Sequence, residues 1–194
     1  MYSMRMDASE RLIESTQELL WERGYVGTSP KAIQQHAGAG QGSMYHHFAG
    51  KSDLALVAVR RSAEQLRALA ETQFSGPGTA IERISAYLLR EREVLRGCRI
   101  GRLAQDPEVI ASPNLRQPLD ETFDWLRHRL AELLAEGQAQ DELDGDLDPA
   151  DTAATILAVL QGGYVLARAA DSVEPFNQAV NGVLGLLAAR TVSR

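Results

Sequence analysis

Thr28 to Leu54 reads TSPKAIQQHAGAGQGSMYHHFAGKSDL, and its punctuation predicts two short helices set between two longer ones. Ser29 before Pro30 is an N-cap followed by proline at the first helical position, which starts a helix over Pro30 to Ala37. Gly38-Ala39-Gly40 interrupts it, and Gln41 to Phe48 supplies a second short helix. A long helix then begins near Lys51-Ser52-Asp53 and continues to about Phe74. Upstream, Leu12, Ile13, Thr16, Leu19 and Leu20 recur at helical spacing on one face, and Gly24 ends that helix. Two short helices joined by a glycine-containing turn form the helix-turn-helix pattern.

The chemistry of the second short helix suits entry into a DNA major groove. Gly40 and Gly42 carry no bulk at its start, so backbone amides there can approach a phosphate. Gln41 and Ser43 offer hydrogen-bonding groups to base edges or backbone. Tyr45, His46 and His47 present polar tips along the exposed side, whereas Met44 and Phe48 point inward at i, i+4 spacing. Lys51, at the start of the next helix, is placed to meet a phosphate.

Working outward, helical spacing dominates and strand signals are scarce, so the expected fold class is all-α. A three-helix head over residues 1–52 is followed by a larger helical domain over 53–194. Ser75-Gly76-Pro77-Gly78 is the clearest break. Ile81, Ile84, Leu88, Leu89 and Leu95 give the next helix its apolar stripe. Gly97 and Gly101 bracket a short irregular piece containing Cys98. Leu119, Phe123, Leu126, Leu130 and Leu133 form a seam that stops near Gly137, and Gln138 to Pro149 is acidic and loop-like. Thr152–Ala167 and Pro175–Ala189 contain no charged residue. Both are shorter than the roughly 20 apolar residues a membrane span needs. They read instead as two helices buried on several faces, with Gly162, Gly163, Ala167, Gly182 and Gly185 allowing close approach. These helices are expected to meet their copies in a second subunit, as a four-helix homodimer interface.

The net charge of −6 over 194 residues looks wrong for a nucleic-acid partner, yet its distribution removes the objection. Residues 1–61 carry seven Lys/Arg against six Asp/Glu, and the acidic surplus lies downstream. One cysteine, Cys98, cannot form an internal disulfide. Met1 to Asp7 lacks the character of a signal peptide, giving a cytoplasmic expectation. Enzyme chemistry has no support: there is no phosphate-cradling glycine loop and no HExxH or CxxC spacing. His36, His46 and His47 lack suitably spaced acidic or cysteine partners for a metal. No cofactor, metal or membrane partner is expected.

The set Thr28, Ile33, Ala37-Gly38, Gly42, Tyr45, His47-Phe48, Lys51 and Leu54 resembles, in order and spacing, the TetR/AcrR family of one-component transcriptional repressors. Ala39 and Gly40 stand where the family usually has Val-Ser, and Gln34 where it usually has a small residue. Gly97 to Asp106, GCRIGRLAQD, is similar to the LmrA-like branch of drug-responsive repressors. The resemblance implies phosphate contacts from Thr28, Tyr45, His47 and Lys51, and base or groove contacts from Gln41, Gly42, Ser43 and His46. It further implies that a dimer binds a pseudo-palindromic double-stranded DNA operator and is released by a small-molecule effector held in the helices after Leu54. Phe74, Tyr87, Cys98, Leu103, Phe123, Leu126 and Tyr164 are the pocket candidates. No buried charge stands out among them, so the expected effector is apolar or aromatic. A helical protein-interaction scaffold and a thiol-based redox sensor through Cys98 are the rival readings.

Overall fold

The computed structural model describes residues 7–191, and its regular elements there are helices. They are α1 (Ala8–Arg23), α2 (Pro30–Ala37), α3 (Gln41–His47), α4 (Lys51–Phe74), α5 (Ala80–Leu89), α6 (Arg99–Leu103), α7 (Pro107–Ala111), α8 (Pro113–Ala139), α9 (Pro149–Ala170) and α10 (Glu174–Ala188). Most of Met1 to Asp7, read above as lacking a signal peptide, lies outside the described residues. The contacts define two compact units. One runs to Gln65 and includes Arg99–Asp120; the other comprises Leu66–Cys98 and Glu121–Arg194. The first unit therefore extends beyond the 52-residue head drawn from the sequence, because α6 and α7 pack with it.

Local signals start and stop the helices of the first unit. Asp7 caps α1 by accepting the Ala8 N–H at 2.6 Å. Gly24, with φ of 73°, ends it, and its N–H reaches Leu20 O. The Ser29 hydroxyl accepts from Ala32 N–H at 3.1 Å, and Gly38 takes the left-handed conformation after α2. Asp53 reaches back to the Ala49 N–H at 3.0 Å at the start of α4. Apolar faces do the rest: Leu12, Leu19, Ile33, Met44 and Leu54 are fully buried. α1 packs against α2, α3 and α6.

α6 and α7 are held to α1 and the turn after it by polar contacts. The Arg99 guanidinium lies 3.9 Å from the centre of the Trp21 ring and meets Glu18 at 2.6 Å. Arg102 donates to the Trp21 carbonyl. The buried Asp106 carboxylate accepts from Tyr25 N–H at 2.8 Å and Val26 N–H at 3.0 Å. Its other oxygen caps α7 through Glu108 and Val109.

In the second unit, Thr79 and Glu82 form a capping box at the head of α5. The core gathers Phe74, Ile84, Tyr87, Leu88, Leu126, Leu130, Leu133, Leu134, Ile156, Leu160, Tyr164, Phe176 and Val180. Two stripe residues depart from expectation: Leu89 is 60% exposed and Leu95 41% exposed. Leu89, the last residue of α5, points about 100° around the helix from the buried Leu88, and Leu95 falls in a 3-10 turn beyond the helix. Gly97 does break the chain, with φ of 82°, but Gly101 lies inside α6. The piece expected to be irregular is a 3-10 turn at Val94–Arg96 followed by that helix. Gln138 steadies the loop before α9 by donating to Asp144 O at 2.8 Å and Leu147 O at 2.7 Å.

α9 is long and apolar enough to cross a membrane by length and composition alone, with mean hydropathy of 1.4. Its apolarity has another account: Ala153, Ile156, Leu157, Leu160, Tyr164 and Ala167 join the core of the second unit. Gly163 makes the close approach to α10, since a Cβ there would stand 3.1 Å from Phe176 Cδ2.

Candidate nucleic-acid interface

α3 turns one face inward and one outward. Met44 is wholly buried and Phe48 nearly so, alongside Ile33 from α2. Gln34 Nε2 donates to Met44 Sδ at 3.4 Å, so the residue that departs from the family pattern joins the two short helices. On the other face Gln41, Gly42, Tyr45, His46 and His47 are exposed, and Ser43 is half-buried. Tyr45 is 50% exposed, a large exposure for an aromatic ring on a helix with no other apolar surface to cover. The His46 and His47 rings sit edge to face at 5.0 Å, and His47 lies 6.3 Å from Phe48. A Cβ at Gly40 or Gly42 would meet nothing within 4 Å, so the approach to the start of α3 is open.

Lys51 is placed differently from a freely extended cation. Its Nζ lies 3.9 Å from the centre of the Tyr25 ring, which fixes the ammonium beside the turn that precedes α2. Thr28 departs further from expectation. It is buried, its hydroxyl donates to Gly24 O at 2.7 Å, and its N–H donates to Tyr25 O at 3.2 Å. Both protons it could offer a phosphate are committed, so Thr28 shapes the turn instead of facing solvent.

The expected pocket residues divide between the units. Phe74, Tyr87, Leu126 and Tyr164 belong to the core of the second unit, and Cys98 and Phe123 pack against it half-buried. Leu103 is buried in the first unit and does not join them. Aromatic rings concentrate here: Phe74 lies 4.8 Å from Tyr87 and 6.3 Å from Trp125, and Tyr164 lies 4.8 Å from Phe176. Burial pushes both phenols, Tyr87 and Tyr164, above the usual tyrosine range.

Two half-buried arginines, Arg90 and Arg92, border this core. Arg92 folds back to donate to the Tyr87 and Leu88 carbonyls at the end of α5 and to Tyr164 Oη at 3.2 Å. Arg90 lies 5.6 Å from the centre of the Tyr87 ring, and its Nε is buried without a hydrogen-bond partner. Neither arginine is among the pocket candidates drawn from the sequence. The available signal was their position just past a helix C-terminus, where arginines satisfy open carbonyls. Among the described residues, no cluster of three or more His, Cys, Asp or Glu could hold a metal.

Residues 12–58 match the family model described as bacterial regulatory proteins, tetR family. Residues 78–183 match the one described as tetracyclin repressor-like, C-terminal domain. The chain is 28% identical to the transcriptional regulator AcuR of Cereibacter sphaeroides, over 73% of this chain and 68% of that one. It is 24% identical to the repressor NemR of Escherichia coli over 96% of both chains. Among solved structures it is similar to a TetR transcriptional regulator from Chloroflexus aurantiacus, with a TM-score of 0.85 and 25% identity over 95% of this chain and 96% of that one.

Proposed function

Because the chain belongs to the TetR family of bacterial regulatory proteins, we propose that it is a cytoplasmic, ligand-responsive repressor that binds a pseudo-palindromic operator as a homodimer. It is a helix-turn-helix transcriptional regulator and not an enzyme. The observation that carries the reading is the outward face of α3, where Gln41, Tyr45, His46 and His47 stand exposed on a buried base of Ile33, Met44 and Phe48. α3 enters the major groove. Gln41, Gly42, Ser43 and His46 face bases, and Tyr45, His47 and Lys51 face phosphates.

Dimerisation supports the same reading. The sides of α9 and α10 turned away from the core carry Ala158, Gly162, Val165, Leu166, Gly182 and Leu186, all exposed and uncharged. A self-complementary surface of small and apolar residues is what a two-fold interface between copies needs. The effector belongs to the aromatic core of the second unit, around Phe74, Tyr87, Cys98, Phe123, Leu126 and Tyr164. An effector favouring a conformation with low DNA affinity weakens operator binding by the same factor by which DNA weakens effector binding.

Tyr45→Ala and Lys51→Ala test the interface. Both variants keep the wild-type circular dichroism; Tyr45→Ala keeps the melting temperature, and Lys51→Ala lowers it by a few degrees at most through loss of the contact with the Tyr25 ring. Each is expected to lower affinity for operator DNA selected from genomic fragments by about tenfold or more, the effect of losing a charged or polar phosphate contact. Unchanged gel-shift affinity in both variants overturns the assignment of α3 as the reading helix.

A further inference from the structure

Arg90 and Arg92 follow the C-terminal end of α5, in a segment that also carries the exposed Glu91 and Glu93. Arg92 is engaged through four of the five N–H groups of its guanidinium, with Arg90 O, Tyr87 O, Leu88 O and Tyr164 Oη as acceptors. It satisfies the open carbonyls and negative end of α5. Arg90 has no such role. Its Nε is buried without a hydrogen-bond partner, and its guanidinium lies 5.6 Å from the centre of the Tyr87 ring. A buried N–H left unpaired costs free energy and persists where something else supplies the acceptor. Arg90, Arg92 and Cys98 all act on both the Tyr87 and the Tyr164 phenol.

We propose that Arg90, the remaining Arg92 N–H and the Tyr164 hydroxyl bind the carboxylate of a small organic acid, and that this acid is the effector. This rests on the reading of the second unit as the effector domain. A planar carboxylate matches the fork of a guanidinium and takes the unpaired Arg90 N–H directly. Phe74 and Tyr87, and likewise Tyr164 and Phe176, pack ring on ring at 4.8 Å in the core beside these groups, so the apolar body of the acid enters by parting them. Arg90 is half-buried with its Nε covered, so the side chain must turn to present that N–H to an anion from solvent. Burial pushes both phenols above the usual tyrosine range, so they stay protonated at neutral pH, and Tyr164 Oη, an acceptor from Arg92, keeps its own proton to donate.

The test uses the full chain with benzoate and hexanoate as probes, benzamide and hexanol as their uncharged counterparts, and inorganic phosphate as a bare anion. Calorimetric titration is expected to show both carboxylates binding at least ~10-fold more tightly than the neutral counterparts, one charge-assisted contact being worth about that factor. Arg90→Gln is expected to remove this preference, and Arg90→Lys to restore part of it. Without ligand, Arg90→Gln is expected to melt within about 2 °C of wild type, because the lost N–H had no partner. The proposal is overturned by equal binding of benzoate and benzamide, by no binding of either carboxylate, by undiminished carboxylate binding in Arg90→Gln, or by phosphate binding as tightly as both. Operator binding measured in parallel separates the two readings. A protein that binds operator but no carboxylate loses only the anion site; one that binds benzoate through Arg90 but no DNA loses only the regulator.

Discussion

At Asp106 a single carboxylate accepts from the backbone N–H groups of Tyr25, Val26, Glu108 and Val109. Two of those amides lie about 80 positions away in the sequence, in the turn that leads into α2. Gly24 is fitted to the same carboxylate: a Cβ there would stand 2.9 Å from Asp106 Oδ2, and its φ of 73° disfavours any side chain. Asp106→Ala is therefore expected to leave buried amides unpaired and α7 uncapped, lowering stability by about 2–4 kcal/mol. Asp106→Asn keeps an acceptor and should lose roughly half as much. Urea denaturation measures both, and an Asp106→Ala midpoint equal to wild type would show that water replaces the carboxylate. Asp106 was invisible in the sequence because its partners are set by tertiary packing, whereas Arg92 bonds mostly to carbonyls within five residues of it. Tyr45 and Phe48 were legible because their opposite burial follows from helical spacing within one short element.

At the level of elements, the helices whose boundaries carried their own chemistry were readable in advance. Ser29-Pro30 starts α2, Gly38 ends it, and Ser75 to Gly78 separates α4 from α5. α6 and α7 were not, since five-residue helices hold too little periodicity to register and depend on contacts with α1. The adjacent glycines of α9 show how one helix divides its faces. A Cβ at Gly163 would stand 3.1 Å from Phe176 Cδ2, whereas one at Gly162 meets nothing within 4 Å. In the single subunit Gly162→Ala is expected to stabilise the chain by roughly 0.5–1 kcal/mol through backbone entropy and helix propensity, a gain read in the monomeric Leu166→Glu, Leu186→Glu background. Gly163→Ala should forfeit that gain against the ring of Phe176, and Gly163→Val should destabilise by about 1–3 kcal/mol through overpacking. Equal midpoints for Gly162→Ala and Gly163→Val in urea would show that α9 and α10 separate to accommodate the larger side chain.

For the whole molecule, charge and exposure divide the labour along the chain. The acidic surplus falls downstream of residue 61, leaving the first part close to neutral, where α3 and Lys51 would meet phosphates. The uncharged outer faces of α9 and α10 leave Leu166 55% and Leu186 70% exposed, large apolar side chains that a lone subunit gives no cover. In a two-fold interface each residue meets its own neighbourhood on the partner, so one added charge is doubled and repels its copy. Leu166→Glu combined with Leu186→Glu is thus expected to convert the protein to monomers by light scattering while preserving helical circular dichroism. Operator affinity should fall by about 100-fold or more, because binding of the second head is no longer an intramolecular event. The slope of log affinity against log salt should drop to roughly half, since each complex then neutralises half as many phosphates. A double variant that remains dimeric would move the interface off α9 and α10. One that is monomeric yet keeps full affinity and full salt slope would show that a single α3 reads its site alone.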